Sequence, residues 1–216
     1  VNVSDSYYSE GGRCLYLEGG EPFIWNDNEN TMEDIVKYAK KKGFFAVIIY
    51  TNGTRTLESA ADTIFVSVDG LSNTHDSLRG KSFERILNNI ELSQHSSLYI
   101  NFTINSVNKT ELSDFCEFID KVPQIKGTFF YFHTPYYGHD ELNIDVSTKK
   151  EILQQLLKLK KQYKILNSTA GLKSAIRNDW KKNLTLCKVY EDGKYYNCCR
   201  ESHNTKLCEE CGYLSY

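Results

Sequence analysis

Five of the seven cysteines, Cys187, Cys198, Cys199, Cys208 and Cys211, crowd into the C-terminal stretch of this 216-residue chain. Thiolates are the natural ligands of zinc and of iron–sulfur clusters. The two-residue gap of Cys208-Glu209-Glu210-Cys211 lets both thiolates point at one ion or cluster, while a longer loop brings in a second pair. Four of the five suffice, and the set chosen here is Cys187, Cys198, Cys208 and Cys211, with Cys199 able to replace Cys198. Spacing alone fits a cluster or a four-thiolate zinc ribbon equally well. An odd cysteine total without a charged-then-apolar leader argues against a secreted disulfide framework, and places the chain in a reducing, cytoplasmic setting. Cys14 and Cys116 sit on apolar elements and read as core residues.

A second group of chemically capable residues follows short apolar runs. Glu18-Gly19-Gly20-Glu21-Pro22 comes after the first run and Thr51-Asn52-Gly53 after the second. The third carries Ser67 near its end, then Asp69-Gly70, His75-Asp76 and Arg79-Gly80. The fourth ends near Asn105, and the fifth leads into His133, Tyr136 and Tyr137. Each has a plain reading: paired glycines make tight turns, Thr-Asn-Gly and Asp-Gly are turns, and a single histidine caps or packs. Their order, at one end of successive runs, is harder to explain as turns alone.

The apolar runs that must position them are Arg13–Glu18, Phe44–Tyr50, Thr63–Val68, Leu98–Ile104 and Thr128–Phe132, rich in Phe, Ile, Val and Tyr as strands are. Between them Met32, Ile35, Val36 and Ala39 share one helical face, as do Phe83, Ile86, Leu87 and Ile90, and Leu112, Phe115, Cys116 and Ile119. Thr148 followed by Glu151 reads as a capping box opening a helix to about Gln162, with Ile152, Leu156 and Leu159 inward. Strand and helix alternating at this pitch predict an α/β fold with a parallel sheet, and in such sheets functional groups gather beyond the C-terminal strand ends. Around Asn167 the pattern changes: Asn167–Trp180 holds at most one short helix, and the remainder is Cys-, Tyr- and Gly-rich, so a boundary is expected near residue 166.

Apolar content of 40% and charged content of 25% are ordinary for a globular chain. The net charge of −2 supplies no attraction to nucleic acid or an anionic membrane, and the lysines at Lys40–Lys42 and Lys158–Lys161 fall on amphipathic helix faces. No apolar run approaches the roughly 20 residues of a membrane span. Six Asn-x-Ser/Thr sequons read as chance products of an Asn-rich sequence.

With these strings in view, the chain resembles the radical S-adenosylmethionine (SAM) superfamily, in particular members with a SPASM or Twitch auxiliary domain. The resemblance rests on Gly19–Pro22, on Thr51–Gly53, and most specifically on Val66-Ser67-Val68-Asp69-Gly70 followed by His75–Gly80. It covers most of residues 13–135. It implies a partial parallel (β/α) TIM-like barrel over residues 1–166 and a small Cys-rich auxiliary domain over 167–216. It further implies that Gly19, Gly20 and Glu21 hold the SAM amino group, that Ser67 and Arg79 take its carboxylate, and that Asp69 lies close by. The Gly193-x4-Cys198 spacing resembles the opening of a SPASM or Twitch domain and tips the metal toward a [4Fe–4S] cluster. The chemistry implied is reductive SAM cleavage and hydrogen abstraction from a peptide or small-molecule substrate, with a low-potential electron donor as partner.

One departure matters. The Cys-x3-Cys-x2-Cys loop that holds the superfamily's catalytic cluster has no counterpart between Val1 and Gly12, and Cys14 cannot replace it. The expectation is an enzyme whose first strand and cluster loop lie upstream of Val1, with this chain alone not cleaving SAM; a degenerate relative is the other possibility. The alternative class is a non-catalytic α/β scaffold or binding protein with a structural zinc ribbon. A sugar- or phosphate-processing barrel ranks last, for want of a carboxylate metal set or a phosphate-cradling glycine loop.

Overall fold

The computed structural model describes residues 2–138, 140–179, 184–209 and 211. Trp180, at the expected end of the short C-terminal helix, and Glu210, between Cys208 and Cys211, lie outside them. Five strands, β1 (Cys14–Leu17), β2 (Ala46–Thr51), β3 (Thr63–Ser67), β4 (Leu98–Ile104) and β5 (Ile125–Phe132), form one all-parallel sheet in sequence order. The helices in chain order are α1 (Asn2–Ser9), α2 (Met32–Lys42), α3 (Ser72–Arg79), α4 (Phe83–Leu92), α5 (Leu112–Asp120), α6 (Val146–Leu159), α7 (Thr169–Arg177) and α8 (Thr205–Glu209). The expected α/β class with a parallel sheet is present. The five strands make an open sheet.

Local chemistry explains the helix limits. At the start of α2 the Thr31 N–H and hydroxyl both donate to the Asp34 carboxylate, at 2.9 and 2.7 Å, and Gly43 closes the helix at φ +102°. Glu33 and Asp34 in the first turn and Lys40–Lys42 in the last complement the helix dipole. Two of those lysines are also tied down, Lys40 to Asp62 at 2.7 Å and Lys42 to Asp5 at 2.8 Å. The start of α6 differs from expectation. Asp145 is the N-cap, its carboxylate accepting from the Thr148 N–H at 2.9 Å, so the helix begins before the expected Thr148–Glu151 box.

Alternation sorts the strands. Val47, Ile49, Ile64, Val66, Ile100, Phe102, Phe130 and Phe132 point to one face and are buried. There they meet Val36 and Ala39 of α2, Phe83, Ile86 and Ile90 of α4, all four apolar residues of the α5 stripe, and Ile152, Leu153 and Leu156 of α6. The opposite face carries Tyr16, Tyr50, Phe65, Tyr99, Phe129 and Tyr131, each only partly covered. Cys14 emerges on this open face and is exposed, contrary to its reading as a core residue. Cys116 is buried as expected, and burial pushes its thiol up to about 12.

Contacts with the sheet continue past residue 166. Thr128 N–H donates to Lys164 O and Leu166 N–H to Thr128 O, both at 2.9 Å, so this segment runs along β5 as a further parallel edge. Asn167 finishes it: its side-chain oxygen accepts from Phe130 N–H at 2.9 Å and its NH2 donates to Phe130 O at 2.8 Å. Helix α7 then packs on α6, with Leu172 in the main core, which carries this packing unit to Arg177. Replacing Asn167 by Ala strands both polar groups of a buried residue. We expect a loss of about 2–4 kcal/mol in urea unfolding, and no smaller a loss for Asn167→Asp, which keeps the acceptor but sets a buried carboxylate oxygen against Phe130 O.

Candidate functional site: a cleft at the strand ends and a cysteine-rich cap

At the C-terminal edge of the sheet a cleft of 180 Å³ opens between the loop after β1 and the loops after β2 and β3. Glu18, Gly19 and Gly20 form one wall, Tyr50 to Asn52 the floor, and Ser67, Arg79 and Asn101 the other wall. The volume suits the amino-acid end of a ligand rather than a whole nucleoside conjugate, since sites that enclose drug-sized ligands run to about 300–1,000 Å³. Gly19 and Gly20 lie at φ +98° and +56°, a backbone that side chains disfavour, and a Cβ on either would meet only open space. The Asn101 side-chain oxygen is buried here without a hydrogen-bond partner among the described residues.

Of the expected ligand-holding residues, Gly19, Gly20, Ser67 and Arg79 line the cleft, whereas Glu21 and Asp69 stand behind its walls. The Glu21 carboxylate accepts from Thr51 Oγ1 at 2.7 Å, Asn52 N–H at 2.8 Å and Phe23 N–H at 3.1 Å, tying the first loop to the second. Gly53 completes that second loop; a Cβ there would lie 2.6 Å from Val66 Cγ1. Asp69 is 5% exposed and accepts from Arg79 Nε at 2.5 Å and from Thr103 N–H at 2.7 Å. That leaves the two Arg79 Nη groups, which bond nothing else among the described residues, on a side chain that lines the cleft.

A polar lattice beneath holds this loop. Asn108 Nδ2 donates to Asp69 O at 3.0 Å and Thr103 O at 2.9 Å, and its Oδ1 accepts from Asn105 N–H at 2.8 Å. Glu111 receives Leu71 N–H at 3.0 Å together with the Thr74 hydroxyl. His75 is fully buried, its Nδ1 accepting from Asp69 N–H at 3.2 Å and its Nε2 facing Ser82 Oγ at 3.1 Å. Burial and the Arg79 charge lower its pKa, consistent with a neutral ring braced between two loops.

The cysteines gather round the end of a hairpin, β6 (Lys188–Glu191) and β7 (Lys194–Asn197). Asp192 and Gly193, both at positive φ, make its two-residue turn. One strand length beyond that turn the chain reaches Cys198, opposite Cys187, and Cys198 N–H donates to Cys187 O at 2.8 Å. The Gly-x4-Cys spacing is thus a turn followed by a strand. Cys208, on α8, directs its thiol to Ser202 O at 3.9 Å. Burial and the neighbouring Cys199, Cys211, Cys187 and Cys208 push the Cys198 thiol up to about 11. Among the described residues no three donors stand in coordinating positions. The donor set nonetheless fits a soft metal: thiols this close resist joint deprotonation, and a bound cation removes that resistance.

This cap sits on the sheet domain at two places. Arg200 pairs with Glu191 at 2.7 Å, donates to the Tyr137 hydroxyl at 2.8 Å and lies 5.5 Å over the Tyr136 and Tyr137 rings. Lys188 meets Glu10, and Tyr195 packs edge-on against Tyr7 with centroids 5.9 Å apart. Tyr136 and Tyr137, just beyond β5, therefore clasp the cap. Glu18 stood out only as part of its turn string, and Asn101 and the Asn108–Glu111 brace carry no motif. The tyrosines at outward strand positions were the available signal, since a solvated face rarely repeats large rings.

Neither a scan of protein-family models nor a search of curated proteins finds a match for this chain. No described helix is long and apolar enough to cross a membrane.

Proposed function

We propose that this chain is the SAM-holding partial (β/α) barrel and the auxiliary-cluster domain of a cytoplasmic radical SAM enzyme acting on a peptide or small molecule. The observation that carries the reading is the convergence of Gly19, Gly20, Ser67 and Arg79 on one cleft at the C-terminal strand ends. The free Arg79 fork suits a carboxylate, the glycine turn lets backbone groups approach an amino group, and Asp69 holds the fork's direction. Curling of the sheet supports the barrel. Tyr50 and Tyr131 stand on strands separated by two others, about 14 Å apart in a flat sheet, yet their hydroxyls lie 3.3 Å apart. SAM and [4Fe–4S] clusters, fed by a low-potential electron donor, supply the one-electron chemistry when bound. Cys187, Cys198, Cys208 and Cys211, with Cys199 adjacent, would hold the auxiliary cluster. This chain's own residues bind, orient and exclude water.

The test is anaerobic purification with iron, acid-labile sulfide and zinc counted per chain, and SAM binding followed by ligand-observed NMR. About four irons with matching sulfide, and SAM binding weakened at least about tenfold by Arg79→Ala, are the expected results. One zinc without sulfide and no SAM contact would overturn the reading in favour of the non-catalytic scaffold with a zinc ribbon.

A further inference from the structure

The open face of the sheet is not a uniform apolar surface. Tyr16 and Tyr50 lie ring to ring with centroids 6.4 Å apart, and Tyr50 meets Tyr131 hydroxyl to hydroxyl. Glu18 follows β1 on the same side as Tyr16, since alternate residues of a strand share a face, and it lines the same cleft as Tyr50. Its carboxylate makes no hydrogen bond or ion pair among the described residues, unlike Glu21, Asp69 and Glu111, each satisfied by two or more donors. The nearby Glu191 is already matched by Arg200 at 2.7 Å. The protein mass around Glu18 and the Glu191 charge raise its carboxyl pKa, even though the side chain stays open to the cleft. Here, then, is an uncompensated carboxylate among phenol rings whose negative faces attract cations.

We infer that this corner, formed by Glu18, Tyr16, Tyr50 and Tyr131, binds a cationic amine, the side-chain ammonium of a lysine-like residue in the substrate. The rings take the ammonium on their faces, the carboxylate neutralises it, and Phe65, stacked on Tyr50 at 4.8 Å, offers apolar surface to the methylene stem. A flat aromatic ligand fits less well, because Tyr50 and Phe65 already stack on one another. Arg79 lies on the opposite wall beside Ser67, so a ligand carboxylate and a substrate ammonium occupy separate ends of the cleft. The inference rests on the proposed reading of this cleft as a site for SAM and substrate, and names the substrate's chemical class.

The probe is Nα-acetyl-lysine methylamide, which carries a side-chain ammonium but no free α-amino or carboxylate group to compete at Arg79. Its norleucine analogue is the control. Titrated into the full chain and read by NMR, the lysine amide is expected to bind at least about tenfold more tightly than the norleucine amide. Glu18→Gln should lower lysine-amide affinity at least about fivefold and leave the norleucine amide unchanged. Tyr16→Leu, at a ring 52% exposed and so safe for folding, should lower it as well. Equal affinity of the two amides, no binding of either, or indifference to Glu18→Gln overturns the inference. SAM binding in the same samples separates the two readings. If SAM binds through Arg79 while the lysine amide does not, only the amine site falls. If the amide binds and SAM does not, the amine site stands and the cofactor assignment falls.

Discussion

Phe102→Ala should unfold far more readily than the parent, by about 3–5 kcal/mol in urea or thermal denaturation. Phe102 is fully buried at the centre of the main core. Its ring sits edge-on to Phe115 at 4.7 Å and against Phe130 at 5.3 Å, so truncation removes contacts in three elements at once. Domains carry about 5–15 kcal/mol in total, so this one change would consume a large part of it. The matched control is Phe45→Ala, at a ring 84% exposed, where a change within about 0.5 kcal/mol is expected. A loss at Phe102 no larger than at Phe45 would mean that the helix-covered face is not the core.

The second large effect is expected at Asp69, a positioning residue that does not itself line the cleft. Asp69→Ala leaves the buried Thr103 N–H without its acceptor and releases Arg79, whose partly exposed side chain makes the lost ion pair a modest term. A destabilisation of about 2–3 kcal/mol should come with a loss of SAM affinity close to that of Arg79→Ala. Asp69→Asn separates the two roles. The amide oxygen can still accept from Thr103, but its NH2 or its single oxygen cannot hold the Arg79 Nε donor as a carboxylate does. Stability should therefore largely survive while binding does not, and the double variant Asp69→Asn, Arg79→Ala should be no worse than Arg79→Ala alone. Asp69→Asn binding SAM as the parent does would remove Asp69 from the site.

How much of this was legible depends on what kind of force fixes each part. β4 was readable to the residue because Leu98, Ile100, Phe102 and Ile104 alternate with half-buried neighbours, and burial on one face leaves no freedom of register. The α5 stripe was equally plain. Helix α3 was not, since Ser-Asn-Thr-His-Asp-Ser is a run of poor helix formers held in place by tertiary bonds, Thr74 to Glu111 and His75 to the Asp69 loop. Asp145 was hidden by the Thr148–Glu151 pair three residues on, which fits the same capping pattern. At the site, Gly19, Gly20, Ser67 and Arg79 announced themselves through turn chemistry and resemblance. Glu21 and Asp69 read as ligand-holding groups, and whether a carboxylate faces a ligand or a neighbouring loop is decided by partners thirty or more residues away, such as Thr51 and Thr103. Asn108 is invisible for the same reason: in a sequence an asparagine looks like a loop, and only the fold shows it buried.

The sequential strand order has a consequence for how the chain assembles. Each new strand pairs with the one made just before it, from Cys14 against Ala46 to Leu98 against Ile125. The shortest such closure, Ile48 to Thr63, and the longest, Ile64 to Leu98, differ by about a factor of two, roughly 0.6 kcal/mol in loop entropy. These pairings can thus form strand by strand as the polypeptide emerges from the ribosome, each strand meeting one already made. The contacts of Lys188 with Glu10 and Tyr195 with Tyr7 break that rule, joining the hairpin to a helix made well before it. Until they form, α1 has no cover from the hairpin, so the thiol-bearing cap acts as a latch on α1, and proteolysis near α1 during refolding would time its closing.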